Sequence, residues 1–247
     1  MYQLAKKIYK LGKNILLGPF IISDYRNFKN LDKNPRFYLK AKDFYPQVFD
    51  KTNTTGFDRH YVYHTAWAAR KVFQINPKKH IDIASSLYFP GIVSAFIPVE
   101  FYDYRPAPLI LSNLETKHAD LTKLHFDSDS LPSLSCLHTI EHIGLGRYGD
   151  PIDPDGDIKA CSELSRVLAP GGSLLFVTPV GNTATIQFNA HRIYTYELVL
   201  SLFPNLTLEE FSFIPEKGTD GIHENANPDE LKKETYACGC FWFKKKI

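Results

Sequence analysis

Residues 155–181 read DGDIKACSELSRVLAPGGSLLFVTPVG, and their pattern decides the fold class. Ile158, Cys161, Leu164, Val167 and Leu168 recur at the spacing of one helix face, with Asp157 placed to cap the first turn. Pro170-Gly171-Gly172 then stops the helix. The following SLLFVTPVG is apolar or β-branched almost throughout, as a strand buried on both faces must be, and a helix feeding such a strand is the unit of a parallel α/β sheet.

The same alternation extends in both directions. Upstream, residues 60–75 (HYVYHTAWAARKVFQI) read as a helix ended by Asn76-Pro77, residues 80–86 (HIDIASS) as a strand opening into a turn, and residues 87–96 (LYFPGIVSAF) as a short helix. A second strand, PVEFYDY, ends near Asp103, and SLSCLHT at 133–139 is a third, buried one. Downstream, TYELVLSLFP is a helix, while LTLEEFSFI and ETYACGCFWFK are strands without a convincing helix between them. The expectation is a Rossmann-like, doubly wound, mostly parallel sheet over residues 56–247 with an antiparallel C-terminal edge strand. Residues 1–55 are expected to form a helical N-terminal extension.

A chain of 247 residues with 44% hydrophobic content can bury a core without staples. Lysine plus arginine (29) nearly balance aspartate plus glutamate (27), which argues against a nucleic-acid partner. Cys136, Cys161, Cys238 and Cys240 are too irregular for a disulfide framework, and no secretory signal opens the chain, so a cytoplasmic setting is expected. Cys238 and Cys240 flank one glycine of a strand, share a face and read as structural thiols. No apolar run reaches the roughly 20 residues of a membrane span. Leu4, Ile8, Leu11 and Ile15 oppose Lys6, Lys7, Lys10 and Lys13 on a basic amphipathic helix that packs on its own domain or, alternatively, docks on an anionic membrane or a protein. Oligomeric state is left open.

Sheets of this class bind ligands at the carboxyl ends of their strands. Asp82 lies in the first strand, and the turn after it is built of small residues, Ala84, Ser85 and Ser86. Asp103, twenty-one residues after Asp82, can accept both hydroxyls of a ribose or stand as a solvated turn residue. Asp120 can face the same edge. The third strand runs into residues 137–157, LHTIEHIGLGRYGDPIDPDGD, which admit several readings. His138, Glu141 and His142 match the spacing of inverted zinc proteases. The aspartates fail the register of a calcium-binding EF-hand, although Asp150, Asp153 and Asp155 leave a less regular metal site open. Gly144, Gly146 and Gly149 around Arg147 admit an anion cradle.

Taken in order, IDIASS, FYDYRP, HADLTKLHF, SCLHTIEH and ELSRVLAPGGSLLFVTPVG resemble the class I S-adenosylmethionine-dependent methyltransferases over roughly residues 56–243. EHIGLGRYGDPIDPDGDIKA together with FNAHRIYT resembles a little-characterised domain family grouped with those enzymes. The resemblance implies that Asp82, Ala84 and Ser85 surround the methionine part of the cofactor, that Asp103 holds its ribose and that Asp120 sits beside its adenine. The chain departs from the usual first turn, carrying Ala84 and Ser86 where glycines are expected.

Methyl transfer to a hydroxyl also needs a base, and imidazole titrates near neutrality. His142, His191 and His138 are the candidates, with Glu141 orienting a ring. Arg147, Tyr148, Asp150, Arg192, His60 and His64, with Arg59 and Tyr63, are expected to wall the pocket of a small polar acceptor such as a sugar or sugar phosphate. Two alternatives stand beside this reading: a non-catalytic binding or scaffold protein with the same fold, and a metal-dependent hydrolase using His138, Glu141 and His142.

Overall fold

The structure is a computed structural model that describes residues 19–247. The basic amphipathic stretch read between Leu4 and Ile15 lies outside the described residues. The chain divides into two units at Gly56/Phe57. In the first, residues 19–31 are helical and a single 3-10 turn spans Ala41–Asp43. No helix among the described residues is long and apolar enough to cross a membrane.

The second unit holds a seven-stranded sheet in the order β3-β2-β1-β4-β5-β9-β8. Its strands are β1 (His80–Ile83), β2 (Val99–Asp103), β3 (Leu114–His118), β4 (Leu131–Leu137), β5 (Leu168–Val180), β8 (Leu206–Pro215) and β9 (Ala237–Lys245). A separate hairpin pairs β6 (Thr185–Gln187) with β7 (His191–Ile193). Strands β1 to β5 are mutually parallel, and β9 runs antiparallel between β5 and β8. This is the expected mostly parallel Rossmann-like sheet with an antiparallel C-terminal edge. Strand order reverses between β1 and β4, so the crevice of such a sheet lies beyond the ends of those two strands.

Two apolar layers cover the sheet, and the period of two assigns residues between them. Leu174, Phe176, Phe241 and Phe243 face one layer, with Ala160, Cys161, Leu164 and Val167 of helix α3 (Gly156–Val167). Leu175, Val177, Cys238, Cys240 and Trp242 face the other, with Trp67, Ala68 and Val72 of helix α1 (Arg59–Ile75). Helix α1 starts where the Asp58 carboxylate accepts from Tyr61 N–H (3.1 Å), a cap worth about 1 kcal/mol. It stops at Asn76 in the left-handed region (φ 49°) before Pro77. The short helices α2 (Tyr88–Val93) and α4 (Tyr196–Leu202) complete the unit.

Several sequence expectations need correction. Leu168 is not on the helix face and Pro170-Gly171-Gly172 does not stop the helix: α3 ends at Val167, and Leu168 through Gly172 already run in β5. Asp157 is not the cap of α3: Asp155 holds that position, and Asp157 lies in the first turn, buried, accepting from Tyr194 O–H (2.9 Å). The buried stripe therefore runs through 157, 160, 161, 164 and 167, which leaves Ile158 about 120° from its centre and 55% exposed. Gly156, the first residue of the helix, packs on Gly144, where a Cβ would come within 3.2 Å of the Gly144 backbone. Strand β3 and the β6–β7 hairpin carry no signal in the sequence reading, since only Leu114 of β3 is buried and β6 is exposed throughout.

Candidate active site

The turn after β1 sets one wall of the site. Asp82, fully buried, accepts from Ser85 Oγ (2.6 Å) and from Ser135 Oγ of β4. Ser135 also bonds Nε2 of His80 (2.8 Å), whose Nδ1 bonds Ser133 Oγ (2.8 Å). Leu137 N–H donates to Ser85 Oγ (3.0 Å). This chain of buried polar groups fastens β1 to β4 just below the turn. Burial pushes the Asp82 carboxyl up to about 7, against the pull of its serine donors, and pushes His80 down to about 3. Above the network stands Ala84 at φ 56°, in the region that favours glycine, with its N–H on Tyr102 O (2.7 Å) and its carbonyl accepting from Thr139 Oγ1 (2.9 Å).

Ala84 opens onto a cavity of about 400 Å³, lined also by Asp103, Arg105, Asp120, Thr139, His142 and Tyr148. The volume falls within the range of small-molecule sites. Asp103 ends β2, and its Oδ1 accepts from Arg105 N–H (2.6 Å). Asp120 accepts from the N–H and hydroxyl of Thr122 (2.8 and 2.7 Å). Three residues assigned to the cofactor thus meet at one cavity. Asp82 and Ser85 do not line it; they lie behind the turn and hold it, because β1 is buried on both faces up to Ile83.

A second cavity, of about 490 Å³, lies on the other side of β4's end. It is lined by Asp58, Arg59, His60, Tyr61, His138, Glu141, His142, Arg147, Tyr148, His191, Glu216 and Tyr236. His138, His142 and Tyr148 belong to both cavities. His138 can turn the chain there because it takes φ 57° directly after the strand. Its Nδ1 bonds Glu141 Oε1 (2.7 Å), and the same oxygen lies 3.7 Å from His142 Nε2. Burial opposes ionisation of Glu141, but His138, first by charge and then by hydrogen bond, and His142 outweigh it and hold the carboxyl below its usual range.

His142 Nδ1 donates to the Ala190 carbonyl (2.7 Å), which fixes the tautomer and leaves the lone pair on Nε2. Arg147 donates to the same carbonyl (2.9 Å), so its 3.1 Å approach to Nδ1 is that of two donors sharing one acceptor. Burial lowers the pKa of His142 and of His191, and brings His60 down to about 4. These rings are neutral at pH 7. Burial, with Glu141 nearby, pushes Tyr61 up to about 12, so its hydroxyl is a donor.

Several expected pocket residues do other work. Arg192, 5% exposed, donates to the carbonyls of Ile143 (2.6 Å) and Pro154 (3.2 Å) and faces Asp157 at 3.6 Å; it fastens the glycine-rich loop and lines neither cavity. His64 is fully buried against His138 (ring centroids 5.0 Å) and also lines neither. Asp150 touches the first cavity, but its carboxylate takes the N–H groups of Gly144 (2.9 Å), Gly146 (3.4 Å) and Tyr148 (3.1 Å). Those amides are spent on the loop itself, which removes the anion-cradle reading. Asp153 is paired with Lys159 (2.6 Å) and Asp155 N–H, and no metal-ligating group of aspartates forms among the described residues. His138, Glu141 and His142 pair with one another instead of converging on a common point, contrary to the zinc-protease reading. The sequence reading missed Tyr61 and Tyr236, whose rings lie against His138 (5.5 Å) and His191 (5.3 Å); nothing in their spacing marks them.

A family model described as "Caenorhabditis protein of unknown function, DUF268" matches residues 113–218. No curated protein matches significantly. Among solved structures, the chain is similar to a candidate sarcosine dimethylglycine methyltransferase from Galdieria sulphuraria, at 12% identity, 75% of this chain and 86% of that one, with a TM-score of 0.54. It is similar to the YcgJ protein of Bacillus subtilis at 12% identity, 75% and 99% coverage and a TM-score of 0.53. A chain of the Haloferax volcanii complex between the Trm112 methyltransferase activator and a candidate methyltransferase matches at 16% identity, 76% and 90% coverage and a TM-score of 0.51. The chain has the class I S-adenosylmethionine-dependent methyltransferase-like fold and is related, over its middle, to that poorly characterised domain.

Proposed function

We propose that this protein transfers a methyl group from S-adenosylmethionine to a hydroxyl of a small polar acceptor, a sugar or sugar phosphate being the class that suits its polar second cavity. One observation carries the reading: the cavity that begins at Ala84 and Asp103 and the histidine-lined cavity share a wall made of His138, His142 and Tyr148. The residues present fit the cofactor. Asp103 offers a carboxylate oxygen to ribose hydroxyls, the Ala84 turn presents a small side chain at a glycine-like φ, and Asp120 stands on the adjoining wall. Bound there, the cofactor supplies an electrophilic methyl on a sulfonium.

The chain's own groups do the rest. His142, neutral and with its lone pair on Nε2, takes the acceptor's proton. Glu141, held ionised, sits within 3.7 Å of that nitrogen and stabilises the imidazolium that results. His191 and Tyr61 are further polar walls, and Arg59 and Arg147 offer positive charge to an anionic acceptor. Positioning an oxygen about 3–3.5 Å from the reacting carbon accounts for much of the acceleration such a site can give.

Titration calorimetry with S-adenosylmethionine and S-adenosylhomocysteine tests the reading, and binding of both is expected. Protein shown folded by circular dichroism that binds neither at millimolar concentration would overturn it. That result would instead support a cofactor-free binding domain, a reading favoured only by the Cβ that Ala84 carries in a glycine's conformation.

A further inference from the structure

A cluster at the edge of the second cavity has no part in the proton transfer assigned to His142: His60 and His138 line the cavity, and Cys238 is buried behind them. Ring nitrogens of His60 and His138 and the Sγ of Cys238 lie within 4.8 Å of one another, and all three residues are buried. They come from α1, from the turn after β4 and from β9. His138 Nε2 is 3.2 Å from Cys238 Sγ, and the His60 and His138 rings stack with centroids 5.9 Å apart. His60 Nε2 is buried without a hydrogen-bond partner among the described residues, and the residue is only 9% exposed. A buried, unpaired polar atom of this kind costs about 1–3 kcal/mol, so its surroundings call for a ligand.

We propose that His60, His138 and Cys238 bind a zinc-class dication, with a fourth coordination position open to the histidine-lined cavity. Two imidazoles and a thiolate are the donors that borderline-soft ions prefer, and three protein ligands with one open position is the arrangement of catalytic rather than structural zinc. Tetrahedral zinc, with Zn–N of about 2.0–2.1 Å and Zn–S of about 2.3 Å, sets its nitrogen and sulfur ligands about 3.6 Å apart. The 3.2 Å between His138 Nε2 and Cys238 Sγ therefore needs to open by only a few tenths of an ångström.

The outer contacts agree. His138 Nδ1 donates to Glu141 at 2.7 Å, the carboxylate–histidine arrangement that orients metal-binding imidazoles and frees Nε2 for the ion. His60 and His138 both line the cavity, which supplies an entry path and room for water or an acceptor oxygen at the open position. Binding releases the Cys238 thiol proton to the buffer. The inference goes beyond the methyl-transfer reading and does not depend on it.

Cobalt(II) titration of metal-stripped full-length protein reads the site directly. One equivalent is expected to give the near-ultraviolet thiolate-to-cobalt band and the visible bands of a four-coordinate ion, all lost on adding zinc. Cys238→Ser should abolish the near-ultraviolet band, while Cys240→Ser, altering the neighbouring buried thiol of the same strand face, should keep it. Glu141→Gln should weaken zinc binding about 10- to 100-fold. If Cys238→Ser does not fold, His60→Gln replaces it and should weaken cobalt binding at least about tenfold, since one of three ligands is gone. Folded wild-type protein without the near-ultraviolet band, the band surviving in Cys238→Ser, or unchanged affinity in His60→Gln would each overturn the proposal.

Discussion

Replacing Asp103 by alanine removes the carboxylate that ends β2 at the wall of the first cavity. One of its oxygens is already engaged, since Oδ1 accepts from Arg105 N–H at 2.6 Å, so the ribose has chiefly Oδ2 to bond. A hydrogen bond to a charged group contributes about 1.5–3 kcal/mol net. Losing one weakens binding of S-adenosylhomocysteine about 10- to 150-fold. Calorimetry gives the constant for wild type and variant side by side. Asp103→Asn separates two causes, because its amide can keep the Oδ1 bond to Arg105 while putting a donor in place of Oδ2. If the ribose donates to the carboxylate, Asn binds almost as poorly as Ala; if the loss comes from an unravelled turn, Asn binds like wild type. Affinity of Asp103→Ala within about twofold of wild type, a difference of less than about 0.5 kcal/mol, would refute the ribose assignment.

Ala84→Gly relieves a left-handed alanine worth about 1–2 kcal/mol, partly offset by glycine's greater chain entropy, so urea unfolding should show a net gain of up to about 1 kcal/mol with cofactor binding retained. Ala84→Val adds β-branching at the same φ on the cavity wall and should abolish binding; wild-type affinity in Val would exclude contact at this turn. His142→Gln should lower turnover about 10²- to 10⁴-fold with little change in cofactor affinity, as measured by product formation beside calorimetry. Because the base must be neutral and burial lowers its pKa, wild-type kcat/KM should be flat near pH 7 and fall only below the ordinary histidine range; an acid limb above it would exclude His142. Acid stability tests the network below the turn. His80 has a folded pKa of about 3 against 6.5 unfolded, so its contribution is intact above pH 6.5 and is lost as pH falls from there toward 3. Asp82, raised to about 7, acts in the opposite sense over pH 7 to 3.8, so the comparison must be made between proteins that share it. From pH 7 to 5, wild type should lose about 2 kcal/mol more than His80→Gln in urea unfolding, and equal losses would show that His80 does not enter its site neutral.

The sequence carried the fold wherever burial on both faces leaves a dense apolar run, as in β5, or a one-sided stripe, as in α1 and α3. It did not carry β3, an edge strand whose LETKH offers one buried side chain, nor the exposed β6. Asp103, Asp120 and Ala84 could be placed because strand-end position is a property of topology. Asp82 and Ser85 could not, because whether a residue faces the cavity or supports it from behind depends on register: Asp82 pairs opposite Ser135 of β4, and that pairing turns its carboxylate inward. Arg192 illustrates the same limit. A cation beside His191 reads as a substrate contact until the carbonyls of Ile143 and Pro154 are seen to occupy it. The His60, His138 and Cys238 cluster was beyond reach, since it forms only when β9 inserts antiparallel between β5 and β8 and brings Cys238 to the end of β4.

The end of β4 therefore bears on both halves of the site. Ser135 reaches Asp82 and His80, Leu137 N–H reaches Ser85, and the next residue, His138, leaves the strand at a positive φ to stand on the shared wall. A change at Ser135 strands His80 Nε2, at a cost of about 1–3 kcal/mol, leaves Asp82 Oδ1 with Ser85 alone, and loosens the Ala84 turn on one side and the His138 turn on the other. Asp82 acts in the same way without touching either cavity, through serine hydroxyls that hold β1 and β4 in register. Thr139 Oγ1 bonds the Ala84 carbonyl, and Ser85 and Ser135 fix the Asp82 carboxylate beneath the turn, so the surroundings hold Ala84 in a conformation its own backbone disfavours. Ser135→Ala should therefore weaken cofactor binding although Ser135 lines no cavity, whereas an alanine held by its own local preference would leave that binding unchanged.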